Sequence, residues 1–268
     1  MTFSFLKSNA YRSAFATVLL LGISMVSGRC GELVDASGGL GESAGVPAMP
    51  PVFSKGPLVL FGASTTALRK GTKTYGELLE ESFKKWQWPV QIVNAGVPGN
   101  STSMARKRFQ RDVLDRNPSV VVINLGINDA AVDVWKNPPA SEPRVSISDY
   151  RMNLEFFVDE LRNHGAEVVL MTPQRLCWTP KLLQLYGKPP YVPGDEGGLN
   201  VVLEEYVKTQ REVAREKKVP LVDVYAAFAD GAGGLLKDGM HPNDKGHAVM
   251  HRLLLDQWIL NPANQLKH

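Results

Sequence analysis

The sequence predicts an α/β protein in which about five parallel strands form a central sheet with helices on both faces. Short apolar runs alternate with longer amphipathic segments from Pro57 onwards. The runs are rich in valine and isoleucine and lack polar alternation, which is typical of strands buried on both faces of a parallel sheet. Right-handed crossovers then place the helices in two outer layers, so a three-layer domain is expected.

Five apolar runs are the expected strands: PLVLFG (57–62), VQIVNAG (90–96), SVVVINLG (119–126), AEVVLMTP (166–173) and VPLVDV (219–224). Apolar residues at helical spacing lie between them, as in segments 75–86, 146–165 and 199–218. A last helix over 244–259 is expected to close the fold, with Asp244 as its N-cap. Leu253, Leu254 and Trp258 are placed to face the core.

The first thirty residues differ from the rest of the chain. Lys7 and Arg12 precede an apolar run over 14–26, which is bounded by small residues and has the pattern of a secretory signal. That run is shorter than the roughly 20 residues that span a bilayer. We therefore expect a signal peptide or N-terminal anchor at 1–30, a flexible Gly-, Ser- and Pro-rich linker at 31–56, the domain at 57–262 and a tail at 263–268.

This organisation predicts export to the periplasm or to the medium. Cys30 is a candidate for lipid attachment, although Arg29 occupies the position where lipoprotein signals have a small residue. Cleavage without lipid attachment is the alternative. Contact with a membrane is expected only through this N-terminal segment.

Composition argues against several classes of partner. The formal net charge is +3, and the basic residues are scattered among acidic ones, so nucleic acid is not an expected partner. The five histidines form no HExxH motif and the two cysteines fit no zinc spacing, so no metal site is expected. The segment GVPGNST lacks both the phosphate-loop and the dinucleotide patterns, so no cofactor is expected.

Polar residues follow the first three predicted strands: Ser64 in GAST, Gly99 in NAGVPGNST and Asn128 in GIND. Asp238 and His241 lie in DGMHPND, just before the last helix. Taken singly, each has a structural explanation, such as a helix cap for Ser64 or a turn for Gly99. Parallel strands, however, end at one edge of a sheet, where ligands bind.

Together these residue types suit nucleophilic catalysis. The Ser64 hydroxyl needs a base to take its proton, and His241 with Asp238 three residues earlier can provide one. Backbone N–H groups of Ser64 and Gly99 and the Asn128 amide are suitable donors to a developing oxyanion.

The blocks GAST, NAGVPGNST, GIND and DGMHPN resemble those of the SGNH/GDSL hydrolases over residues 57–260. The resemblance implies a flavodoxin-like α/β/α fold and metal-free ester hydrolysis. It also implies Ser64 as nucleophile, Asp238 and His241 as the rest of the triad, and Gly99 and Asn128 in the oxyanion hole. One departure is Ala63, which stands where the family usually has an acid, and this puts in question how the nucleophile turn is braced.

The connection after the fourth strand is longer than the ~2–6 residues usual at such joints. Its Arg175 and Trp178 are candidates for substrate binding, or else they only order the loop. We therefore expect an exported esterase that removes short acyl groups, most readily acetyl, from carbohydrate. Its expected partner is a small-molecule or glycan acyl ester. The alternatives are a lysophospholipase or thioesterase of the same family, or a catalytically weak glycan-binding module on the same fold.

Overall fold

The computed structural model describes residues 46–229 and 232–261. Within them, five parallel strands form one sheet: β1 (Leu58–Gly62), β2 (Ile92–Gly96), β3 (Val120–Asn124), β4 (Glu167–Met171) and β5 (Leu221–Val222). The strand order is β2-β1-β3-β4-β5. This is the flavodoxin-like order, and the predicted three-layer α/β/α fold is confirmed.

The helices are α1 (Tyr75–Lys85), α2 (Thr102–Asp112), α3 (Ile127–Ala130), α4 (Ile147–Asn163), α5 (Pro180–Tyr186), α6 (Leu203–Lys217), α7 (Val224–Ala227), α8 (Ala232–Leu235) and α9 (Asp244–Leu254). Short 3-10 helices lie at Pro51–Ser54 and Leu114–Arg116, and a π-helical turn, Leu255–Ile259, follows α9. No helix in the part of the chain described above is long and apolar enough to cross a membrane.

The side chains of the sheet divide between two hydrophobic cores. In β1, Val59 and Phe61 point to one core, and Leu58 and Leu60 point to the other. Helices α2, α4 and α6 cover the first core, whereas α1 and α9 cover the second. All four of these side chains are fully buried, which explains why the strand has no polar alternation.

The final helix begins differently from the prediction. Asn243, not Asp244, is the N-cap, and its side chain accepts a hydrogen bond of 3.0 Å from the N–H three residues further on. Asn243 has the extended backbone that a cap requires, whereas Asp244 is already helical. Leu254 and Trp258 are buried in the core as expected, and Leu253 is partly buried against it.

The predicted flexible linker is wrong for its last part, residues 46–56. Val52 and Phe53 in this segment are buried. The Phe53 ring lies 5.5 Å from that of Phe83 and 5.7 Å from that of Trp258. The domain therefore begins before Pro57, because this segment covers aromatic residues at the end of the second core. The predicted signal segment 1–30 with Cys30, linker residues 31–45 and the tail 263–268 lie outside the described residues.

Replacing Phe53 tests whether this segment is part of the folded domain. Phe53→Ala removes a buried ring, so we expect a loss of about 3–5 kcal/mol in the free energy of unfolding measured with urea. Val46→Ala is the control, because Val46 is 65% exposed, and it should change this free energy by less than about 0.5 kcal/mol. Equal stability of the two variants would show that the segment does not contribute to the domain.

Candidate active site

The carboxyl ends of β1, β2 and β3 bring the predicted polar residues to one edge of the sheet. Ser64 follows β1, Gly99 follows β2 and Asn128 follows β3. In this strand order the connections reverse direction between β1 and β3, which is where ligands bind in such sheets. The loop between α8 and α9 brings His241 to the same place, 177 residues along the chain from Ser64.

A continuous chain of hydrogen bonds joins three of the predicted site residues. Ser64 Oγ lies 3.0 Å from His241 Nε2, and His241 Nδ1 lies 2.8 Å from Asp238 Oδ2. Because an ionised carboxylate can only accept, Nδ1 carries the proton and Nε2 is left to accept the Ser64 hydroxyl. This is the tautomer that a general base for serine requires.

The Asp238 carboxylate is held by more than the imidazole. Its Oδ1 accepts hydrogen bonds from the backbone N–H of Met240 (3.1 Å) and of His241 (2.8 Å). Partial burial raises the pKa of Asp238, but the hydrogen bonds from the His241 side chain and from these backbone groups outweigh burial, so that the pKa lies below its ordinary value. Asp238 is therefore ionised at neutral pH, as the orienting partner of a histidine must be.

The loop that carries His241 is fixed at several points. Its own backbone closes through a hydrogen bond of 2.7 Å from Lys237 N to His241 O. Gln174, fully buried after β4, donates to the Met240 carbonyl at 2.6 Å and lies 3.1 Å from Thr65 Oγ1. Gln174 thus joins the histidine loop directly to the turn that carries Ser64.

The turn after β1 presents Ser64 without capping a helix. The N–H groups of Thr66 and Ala67 both donate to the Ala63 carbonyl, at 3.2 and 3.0 Å, and the chain then continues irregularly to α1 at Tyr75. The helix-capping explanation of Ser64 is therefore wrong. The hydroxyl is half-buried and its partner is the imidazole.

A buried arginine braces this turn in the absence of the acid that Ala63 replaces. Arg108 of α2 donates to the carbonyls of Gly62 (2.9 Å) and Ala95 (2.8 Å), at the ends of β1 and β2. Its Nε donates to Asn100 Oδ1 at 2.6 Å. Burial lowers the pKa of Arg108, and its ion pair with Asp112 counteracts this effect. One side chain therefore fixes the Ser64 turn relative to the Gly99 loop, a role that no sequence motif indicated.

The expected oxyanion donors share the edge with Ser64. Gly99 has φ +76°, a conformation that favours glycine, and a Cβ added there would meet open space. Within residues 46–229 and 232–261, no hydrogen bond occupies the backbone N–H of Ser64 or Gly99. The Asn128 amide donates one hydrogen to the Asn100 carbonyl at 3.1 Å, which leaves its second hydrogen for a ligand.

Asp129 joins the two loops that carry these donors. Its Oδ1 accepts from the backbone N–H of Thr102 at 2.8 Å and from the Thr102 hydroxyl, so α3 is held against the start of α2. Asp129 is fully buried, and its Oδ2 has no partner among the described residues. Burial raises the pKa of Asp129 to about 6, although the hydrogen bonds from Thr102 oppose this shift.

Arg175 and Trp178, both in the long connection after β4, have partners within the protein. The Arg175 guanidinium lies 3.6 Å from Glu204 and 5.2 Å from the centre of the Tyr225 ring. The Trp178 indole N–H donates to the Asp195 carbonyl at 2.8 Å. The contacts described for these two side chains stabilise the connection and do not reach Ser64 or His241.

An apolar pocket that is open to solvent lies beside the hydrogen-bonded residues. Two residues of its wall, Ile127 and Met240, directly precede Asn128 and His241 in the chain. The remaining wall is formed by Ala130, Ala131, Leu176, Tyr186, Tyr191, Leu199 and Leu203. The pocket can therefore hold an apolar group whose polar end faces the site.

The fold and this edge define an α/β/α ester hydrolase. A lipase/acylhydrolase from Enterococcus faecalis has a similar structure, with a TM-score of 0.58 and 25% identity, covering 74% of this chain and 93% of that one. The chain belongs to the GDSL-like lipase/acylhydrolase family, whose model matches residues 60–249. It is accordingly a carboxylic ester hydrolase, and its substrates are acyl esters.

Two relatives by sequence cover most of the domain. An uncharacterised lipoprotein of Bacillus subtilis, YqeF, is 32% identical over 186 residues, which are 64% of this chain and 74% of that protein. An acetylxylan esterase of Geobacillus stearothermophilus is 27% identical over 175 residues, which are 62% of this chain and 71% of that protein.

Replacement of Asp129 by Asn tests the buried carboxyl. The pKa of Asp129 is about 6 in the folded protein against an ordinary 3.8, so the folded state keeps a proton that the unfolded chain releases as pH rises between these values. This group stabilises the fold fully below about pH 4, and that stabilisation, about 2–3 kcal/mol, is lost as pH rises through about 6.

The variant lacks this titration. Free energies of unfolding in urea, measured from pH 4 to 7, should therefore shift by about 2–3 kcal/mol in favour of Asp129→Asn relative to the wild type over this range. Added salt should leave the shift in place, because a buried group is weakly screened. A difference between the two proteins that does not change with pH would refute the burial of an ionisable Asp129.

Proposed function

We propose that the protein is an exported esterase that removes short acyl groups, most readily acetyl, from carbohydrate. Ser64, His241 and Asp238 form its catalytic triad, and Gly99 and Asn128 form its oxyanion hole together with the Ser64 N–H. The observation that supports this most strongly is the chain of hydrogen bonds of 3.0 and 2.8 Å from Ser64 Oγ through His241 to Asp238.

In the first half of the reaction, Ser64 Oγ attacks the carbonyl carbon of the ester while His241 Nε2 takes the hydroxyl proton. The carbonyl electron pair moves to oxygen, and the donors at 64, 99 and 128 stabilise that oxyanion. The oxyanion then collapses, the bond to the sugar oxygen breaks, and the sugar leaves with the proton from Nε2. Asp238 stays ionised and stabilises the imidazolium.

In the second half, water replaces the sugar. His241 Nε2 takes a proton from the water as its oxygen attacks the acyl-serine, and a second oxyanion forms in the same hole. When this intermediate collapses, Ser64 Oγ recovers its proton from Nε2 and the carboxylic acid is released. The triad is regenerated, and only the ester and water are consumed.

The choice of a short acyl group is supported by the pocket and by one relative. The pocket wall is apolar, and the pocket is open to solvent. This suits a small acyl chain better than a long one. The relative from Geobacillus stearothermophilus is named as an acetylxylan esterase.

A carbohydrate substrate is supported by an exposed aromatic residue near the edge. Trp135 follows α3 and is 48% exposed, with Lys136 5.7 Å from its ring centre. An exposed indole face can stack on a sugar ring. Export is supported by the signal pattern at 1–30 and by the relative that is named a lipoprotein.

Ser64→Ala tests the nucleophile and the acyl preference in one experiment. The variant keeps the pocket but lacks the hydroxyl oxygen that attacks the ester, so kcat for p-nitrophenyl acetate should fall by at least about 10³-fold. The wild type should cleave the acetate faster than the butyrate and the octanoate, and it should release acetate from acetylated xylan.

Ser54→Ala is the matched control, because Ser54 is an exposed serine outside the site, and it should retain wild-type turnover. Undiminished hydrolysis by Ser64→Ala would refute the triad. Preference for the octanoate or for a thioester would instead favour a lysophospholipase or thioesterase, and binding of acetylated xylan without turnover would favour a glycan-binding module.

Replacing the carboxylate partner of His241 tests the base. Asp238→Asn should lower kcat for p-nitrophenyl acetate by about 10²–10⁴-fold, since the Nδ1 proton loses its carboxylate partner. Full activity in Asp238→Asn would contradict these roles.

A further inference from the structure

The insertion after α3, residues 133–145, ends in a side chain that contacts the oxyanion asparagine. Arg144 Nη1 donates a hydrogen bond of 3.2 Å to Oδ1 of Asn128. On the other side of the same amide, Nδ2 donates to the Asn100 carbonyl at 3.1 Å. Both ends of the Asn128 amide are therefore held.

The Arg144 guanidinium is itself fixed by a buried carboxylate. Its Nε and Nη2 lie 3.1 and 2.6 Å from Asp133 Oδ1, and only 5% of the Asp133 side chain is exposed. Lys136 Nζ binds the same carboxylate at 2.7 Å. Because the two N–H groups on one edge of the guanidinium are engaged by Asp133, Nη1 is aimed at Asn128.

The backbone of the insertion closes onto the Asn128 turn as well. Arg144 N donates to the Ala131 carbonyl at 3.0 Å, and Val145 N donates to the Asp129 carbonyl at 3.2 Å. The end of the insertion is thus tied to α3, which carries Asn128. The position of Arg144 relative to the amide does not depend on the exposed tip of the loop.

A cation on Oδ1 has two consequences for the amide. It opposes a flip of the amide, because the flip would bring NH₂ against the guanidinium and turn the carbonyl oxygen towards the oxyanion. It also draws electron density from the amide and strengthens the remaining N–H as a donor. Both effects act at the moment when negative charge develops on the ester oxygen.

We propose that Arg144, held by Asp133, is a positioning residue that orients and polarises the Asn128 amide in the oxyanion hole. This inference rests on the proposed function, in which Asn128 stabilises the oxyanion. It assigns the insertion a part in transition-state stabilisation, in addition to its exposed Trp135.

A double-mutant cycle on p-nitrophenyl acetate tests this proposal. Asn128→Ala should lower kcat by about 10²–10³-fold. Arg144→Ala should lower kcat by about 10–100-fold and change KM by less than about twofold, because the amide acts mainly in the transition state. The double variant should be no slower than Asn128→Ala within about threefold, since Arg144 acts only through that amide.

Two further measurements separate positioning from a general effect on folding. Arg144→Lys should recover part of the lost kcat, and millimolar guanidinium chloride should partly restore Arg144→Ala but not the double variant. Arg151→Ala is the matched control, since Arg151 has similar exposure, 31% against 34%, and pairs with Glu212 and Glu216 between α4 and α6. It should keep wild-type kcat. If Arg144→Ala fails to fold, the same cycle is run with Arg144→Lys.

Multiplicative losses in the double variant, or a loss in Arg144→Ala that appears only in KM, would overturn the proposal. Full activity of both Arg144 variants would overturn it as well. The proposed function is judged separately, because its failure shows as undiminished hydrolysis by Ser64→Ala. If Ser64→Ala loses esterase activity as expected while the Arg144 variants keep wild-type kcat, the inference is rejected and the proposed function stands.

Discussion

The hydrogen bond of 3.0 Å between Ser64 Oγ and His241 Nε2 is the contact on which the proposed function depends. Its two partners lie at opposite ends of the domain in sequence, and only the folded structure brings them together. The order β2-β1-β3-β4-β5 puts the Ser64 turn where the strand connections reverse direction, between β1 and β3. Helix α9 packs beside α1, so the loop before α9, which carries His241, reaches the Ser64 turn. Gln174 contacts both Thr65 and Met240 and so fixes the distance between the Ser64 turn and the His241 loop.

Charged side chains in buried positions hold the loops of this edge. Burying a charge is costly unless hydrogen bonds replace the lost water. Arg108 meets this requirement with carbonyls from two strands, Asn100 and Asp112. Asp129 meets this requirement incompletely, since one of its carboxyl oxygens has no partner among the described residues. Its burial therefore raises the pKa of the carboxyl group. The loops that carry the proposed oxyanion donors are thus held at some cost in stability.

The sequence predicted the features that depend on local pattern. Each of the five apolar runs contains a strand, and the helices expected at 75–86, 146–165 and 199–218 are present with shifted ends. Helix α2 was not predicted, because its segment TSMARKRFQRD is mostly polar and shows only a weak apolar stripe. The composition of residues 46–56 predicts a linker, although the buried side chain of Phe53 anchors them. Burial of single residues in a proline-rich segment leaves no periodic signal.

The candidate site likewise contains residues that the sequence predicts and residues that it does not. Ser64, Gly99, Asn128, Asp238 and His241 stand in short motifs whose chemistry can be read from residue types, and the structure brings them to one edge. The groups that hold them, such as Arg108 and Arg144, act through contacts across loops that no spacing in the sequence encodes. Arg108 braces the Ser64 turn, which has no acid at position 63, and the motifs alone do not reveal this contact.

The central claim is that Ser64 Oγ is made nucleophilic by His241, and covalent labelling tests it most directly. The protein is treated with diethyl p-nitrophenyl phosphate, an organophosphate that reacts with activated serines, and the modified peptide is located by mass spectrometry. Our account predicts a single diethylphosphoryl adduct on Ser64, formed with loss of esterase activity and strongly slowed in His241→Ala. Inactivation with the adduct on another residue, or labelling of Ser64 at the same rate in His241→Ala, would contradict it.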